Sequence, residues 1–175
     1  MPLLKLFGTG SFRCFGAQGF FALLVLPAVF LVMGCADPTS PEFEVQAATP
    51  EWIQANLAGI FECEWESSLV ITNGLLFTGA FVKGEIAHVT RFTETSGVIF
   101  VEMNESAFNW GEEPGGRQGY FTGFYFENLN ASGFDGAEAW AETGNDFPTL
   151  AEAQTQFTLG NRMTYFASTS RFTRQ

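Results

Sequence analysis

The chain has 175 residues, 46% of them hydrophobic and 16% aromatic, with 19 acids against 8 bases and a net charge of −11. Such an acid excess repels phosphate backbones and anionic lipid headgroups, which argues against nucleic-acid binding and leaves membrane attachment to something other than surface charge. The aromatic content is that of a chain with a packed core rather than a disordered one.

The first element is apolar. Gly19 to Met33 is an uncharged apolar run, preceded by a segment whose only charges are Lys5 and Arg13, and followed by Gly34 and Cys35. The run is too short to span ~30 Å of hydrocarbon comfortably as a helix, and its basic flank and small terminal residue describe a secretory signal. With cysteine directly after the cut, Leu31-Val32-Met33-Gly34-Cys35 resembles the lipobox of a bacterial lipoprotein signal, with Val32 where the family prefers leucine. The resemblance implies cleavage before Cys35 and lipidation of its thiol and new amino group. Residues 1–34 are then the signal peptide, and the expected partner of Cys35 is the membrane. Two or more acyl chains, at ~0.8 kcal/mol per buried CH₂, anchor stably. Ala36 follows the cysteine, and the aspartate that marks inner-membrane retention in some bacteria is absent there. The expected location is the cell envelope, on either face of the outer membrane.

Residues 35–175 keep all nineteen acids and six bases, and 22 aromatic side chains. Cys14 leaves with the signal and Cys35 is lipidated, so Cys63 has no partner for an internal disulfide. It alternates with Phe61 and Trp65 in a strand pattern and reads as a small buried apolar residue.

Residues 35–48, with Pro38, Pro41, acids and small residues, read as a tether. The domain proper is expected over 49–175. Thr49 as N-cap, Pro50 in the first turn and Glu51 near the positive end predict a short N-terminal helix. Strands follow: 61–65, then 69–72 and 75–82 around Asn73-Gly74, a pair that suits a type I′ hairpin turn. Further strands are expected over 85–92 and 98–103, over 119–129 and 134–142, and finally over 164–173. Between the last two, Thr149 and Glu152 form a capping box, and Leu150, Ala153 and Phe157 share one helix face.

No other connection is long enough for a crossover, so neighbouring strands should pair antiparallel. About eight such strands in sequence order would leave two exposed edges in an open sheet. Closure removes them. The expected fold is all-β, a small up-and-down antiparallel barrel with a short N-terminal helix and one helix before the last strand. A two-sheet sandwich uses the same ingredients. An outer-membrane barrel does not fit, because Glu62, Glu64, Glu66, Glu85 and Arg91 interrupt any continuous lipid-facing band.

Several runs carry a second resemblance. Gly59-Ile60-Phe61-Glu62, Gly84 to Phe92, Ser96 to Val101, Tyr125 to Leu129, Ala139-Trp140 and Thr149 to Ala153 are similar to small lipocalin-like lipoproteins of spirochaetes, of treponemal type. The resemblance implies a fold and a location and carries over no defined active residue.

No pattern of catalysis stands out. His88 is the single histidine, G-x-S-x-G is absent, and Glu112-Glu113 are adjacent rather than spaced as an acid/base pair. Neither an enzyme, a metal site nor a cofactor is expected. An eight-stranded barrel is only just wide enough to be filled or to hold one small ligand. The expected ligand is a small apolar or aromatic molecule at the open end, lined by Trp65, Phe124, Phe126 and Trp140. The alternative is a filled barrel that meets a protein partner through the 104–118 loop, where Phe108 and Trp110 stand among acids and glycines. The run Tyr120 to Phe126 is aromatic on both faces, so whatever the core does not take must be covered by the 149–157 helix, a ligand or a partner.

Overall fold

The computed structural model describes residues 43–64, 68–105, 107–108, 114–140 and 144–175, with 107–108 and 114–116 as backbone. The signal segment and Cys35 lie outside them. A meander of eight antiparallel strands builds the domain: β2 (Gly59–Cys63), β3 (Ser68–Ile71), β4 (Leu76–Thr78), β5 (Lys83–Arg91), β6 (Gly97–Met103), β9 (Phe121–Asn130), β10 (Gly133–Glu138) and β11 (Ser170–Arg174). Each pairs with the next in sequence order, and β11 pairs back onto β2, which closes the barrel. Closure leaves these strands without a free edge.

Two short pieces lie outside this ring. Strand β1 (Gln46–Ala47) pairs with Arg91 and Thr90 of β5, beyond the point where β4 ends. Part of the stretch read as tether thus extends the sheet, and Arg91 is held between the rings of Phe43 and Trp52 at 5.1 and 4.6 Å. Strands β7 (Ala107–Phe108) and β8 (Pro114–Gly116) form a separate two-stranded sheet within the long β6–β9 connection.

Helix α1 (Pro50–Asn56) begins as expected, with the Thr49 hydroxyl accepting from the Trp52 amide at 3.2 Å. It plugs one end of the barrel with Ile53 and Leu57, both buried. The other end is reached by the β2–β3, β4–β5 and β10–β11 connections, as the strand directions require.

Alternation on the strands separates two cores. Inside lie Phe61, Phe77, Phe124, Phe126, Phe134 and Phe172 with aliphatic neighbours. Their rings meet at 4.8 Å for Phe61–Phe134, 5.3 Å for Phe77–Phe124 and 5.5 Å for Phe124–Phe172, spacings typical of favourable edge and offset contacts. Outside, Val98, Phe100 and Tyr125 on β6 and β9 are covered by Ala153 of α2 (Leu150–Gln156), Tyr165 of α3 (Arg162–Tyr165), and Phe157 and Phe166, the residues that follow those two helices. The doubly aromatic run is therefore divided between interior and helix. Gly123 permits the approach, since a Cβ there would lie 2.7 Å from the Phe157 ring.

The Asn73-Gly74 hairpin forms with a different turn. The Leu75 amide donates to Thr72 O, and the left-handed residue is Leu75, at φ 62°. The loop is thus three residues long, a type I turn closed by one left-handed residue. Thr72 Oγ1 holds it by accepting from the Leu76 amide at 3.1 Å.

Candidate functional site

Three sequence-distant segments meet at the end of the barrel opposite α1. Strand β4 stops at Thr78, and residues 79–82 curl inward. The Glu138 carboxylate at the end of β10 accepts from the Phe81 amide at 3.0 Å, with the Ala80 and Val82 amides close enough to lower its pKa. Gly79 makes this possible, since a Cβ there would overlap Glu138 Oε1. The third segment is the chain after β10. Asn145 is buried and donates from Nδ2 to Ala139 O at 2.9 Å, while its own carbonyl accepts from Thr122 Oγ1 at 2.7 Å.

Between these segments lies an open cleft of about 330 Å³. Phe124, Phe172, Leu69 and Val82 line it from the barrel, and Phe81 and Trp140 line it from the β4–β5 loop and the end of β10. Phe81 is 38% exposed and Trp140 53%, whereas Phe124 is 1% exposed. The cleft is thus floored by the Phe core and rimmed by two partly exposed aromatics.

Glu138 is the one acid among the described lining residues, and no lysine, arginine or histidine joins it there. Burial, the dominant cause, pushes its carboxyl up to about 7, although the backbone amides of Phe81, Val82 and Ala80 pull the other way. The desolvation cost of the charge exceeds what neutral amides return. Cys63 also lines the cleft, half-buried rather than enclosed in the core.

Of the residues expected to bind a ligand, the structure brings Phe124 and Trp140 to this cleft. Phe126 lies deeper, fully buried between Phe134 and Trp52 of α1 at 6.4 and 6.3 Å, and does not reach the cleft. Trp65 and Trp110 lie outside the described residues, and Phe108 is described only as backbone in β7. His88 sits on β5 against Phe100 at 5.9 Å, its pKa lowered by burial, and is no part of the cleft lining. Glu138 and Phe81 were not singled out by sequence reasoning. Glu138 falls in a strand pattern like other outward acids, and only the fold shows it turned onto the Phe81 amide.

The cleft differs from the hollow of about 430 Å³ beside α1, where Asn56, Glu94, Asn130 and Arg174 gather without an aromatic lining residue. Among the described residues no group of three or more His, Cys, Asp or Glu is placed to hold a metal ion, and no helix is long and apolar enough to cross a membrane. No family model, curated protein or solved structure matches the chain. The fold and the cleft themselves define the protein's class: an eight-stranded up-and-down barrel sealed at one end and open at the other.

Proposed function

We propose that this chain is an envelope lipoprotein, anchored through Cys35 and without enzymatic activity, whose barrel holds one small apolar or aromatic molecule in the cleft at its open end. The supporting observation is the cleft, an apolar cavity floored by Phe124 and Phe172 and rimmed by the exposed Phe81 and Trp140. Ligand sites are concave and mostly apolar, with a few placed polar groups. Exposed aromatic rings converging on one hollow favour an occupant over a merely filled barrel. The anchor rests on the signal-like segment and the lipobox resemblance.

Binding is tested with Nile red, a neutral apolar dye, titrated into the protein in a nonionic detergent below its micellar concentration. The expected result is saturable emission that is lost in Ala80→Trp, which fills the cleft from its lining. Emission that does not saturate, or that survives Ala80→Trp, contradicts the reading. The anchor is tested separately, since Cys35→Ser should leave an unprocessed precursor that takes up no labelled palmitate.

A further inference from the structure

Among the described lining residues the cleft holds one carboxyl and no cationic side chain. The described side chains that line it include Glu138, two partly exposed aromatic rings, a Phe floor and a few small polar groups. The Glu138 carboxylate is fixed rather than mobile. It is held by the Phe81 amide of the 79–82 loop, and the missing side chain at Gly79 leaves room for it. The Phe81 amide leaves at least one of the carboxylate's roughly four acceptor positions open. The chain around it is strongly acidic, at −11 overall, which draws cations and repels anions.

These features complement a particular ligand. We infer that the cleft takes a small organic cation, an amine with an aromatic or short alkyl body, its ammonium group on Glu138 and its apolar part against Phe81, Phe124 and Trp140. The inference rests on the proposed ligand-binding role of the cleft and names the chemistry of its occupant. An ammonium supplies the ion pair that the amides cannot, and the faces of Trp and Phe rings attract a cation as well as an apolar body. A carboxylate ligand would meet Glu138 as a like charge. A neutral ligand of the same shape would gain the apolar contacts alone.

The groups that face Glu138 bear on its proton. The 79–82 loop brings only backbone amides and apolar side chains, and Lys83 beyond it is paired with Glu105 at 2.9 Å. The remaining described walls contribute Cys63, Ser68, Ser168, Ser170 and Asn145, none of them an acid or a base of the Lys, Arg or His kind. An ammonium seated on Glu138 favours the charged form, so amine binding near neutral pH should expel a proton from this carboxyl.

The test compares 2-phenylethylamine, 2-phenylethanol and 3-phenylpropionate by calorimetric titration of the full chain in nonionic detergent, in two buffers of different ionisation enthalpy at pH 6.5. The amine is expected to bind at least about tenfold tighter than the alcohol, with the carboxylate weakest and net proton release accompanying the amine alone. Glu138→Gln should abolish both the preference and the proton release. Equal affinities for amine and alcohol, or a preference that survives Glu138→Gln, would overturn the inference and leave the apolar site standing. If none of the three binds, the ligand-binding reading falls, and this inference with it. Retained alcohol binding by Glu138→Gln reports that the variant is folded at the cleft. Should that variant bind nothing, Glu138→Asp, which keeps the charge on a shorter arm, must restore some amine preference or the assignment is wrong.

Discussion

At the α1 end the barrel is sealed by Ile53 and Leu57 over a continuous stack of phenylalanines, whereas at the opposite end the strands stop short around a cleft. The first end satisfies its backbone with ordinary caps. Arg174, for example, donates to the carbonyls of Asn56 and Ala58, tying the last strand to the helix. The second satisfies an amide of a curled loop with a carboxylate that must be desolvated to reach it. Burial is used for stability at one end, while at the other it is spent on a charged group and an unfilled space. A contrast of this kind is what a binding site on a rigid scaffold produces.

Truncation should expose the contrast most strongly. Phe134 is fully buried and meets Phe61, Phe124, Phe126 and Phe172. Phe134→Ala is expected to cost about 3–5 kcal/mol in urea denaturation, whereas removal of a partly exposed ring should cost far less. Trp140→Ala, at the open end, should stay below about 1 kcal/mol. Comparable losses at both sites would erase the distinction between the ends.

Next in size is the contact outside the barrel. Gly123→Val places atoms where the Phe157 ring now rests, and overpacking of this kind costs about 1–3 kcal/mol. Hydrogen exchange should show faster opening of α2 and α3 with the barrel strands still protected. Uniform loss of protection would mean that helices and barrel fold as one unit.

The third prediction concerns pH. Glu138 has a folded-state pKa of about 7 against an ordinary value of 4.5, so between these values the folded chain holds a proton that the unfolded chain has lost. The stability it contributes is complete below 4.5 and is lost as pH rises through 7. Glu138→Gln should flatten the fall in urea midpoint between pH 5 and 8 relative to the natural protein. An unchanged slope would show that the carboxyl titrates normally.

Much of the barrel was legible because it rests on local rules. The alternation of Phe61 and Cys63 with acids, the capping pairs at Thr49 and Thr149, and the face shared by Leu150, Ala153 and Phe157 each predicted the element that forms. Strand limits failed chiefly at the open end. The patterns over 75–82 and 134–142 run on as strands, but the chain leaves the sheet at Thr78 and Glu138, where a contact between residues 57 positions apart takes over. No periodicity carries such a contact. Helix α3 was also missed, because Tyr165 and Phe166 read equally well as strand residues until α2 is placed beside them. Phe124 and Phe126, two residues apart on one face, could not be ranked by depth from sequence.

A further small effect is expected at the α2 cap. The Thr149 hydroxyl accepts from the Glu152 amide at 3.2 Å, and Thr149→Ala should cost about 1 kcal/mol in the same denaturation assay, with no change at the cleft. An altered amine affinity in that variant would couple the outer helix to the open end.

The central claim is that Glu138 is a charge held ready at the open end for a cationic partner. The carboxyl carbon-13 shift of Glu138, followed against pH with and without 2-phenylethylamine, tests it most directly. The account predicts a midpoint of about 7 in the protein alone, moving down by a unit or more when the amine is bound. A midpoint near 4.5 in the protein alone, or one that the amine leaves in place, would contradict it.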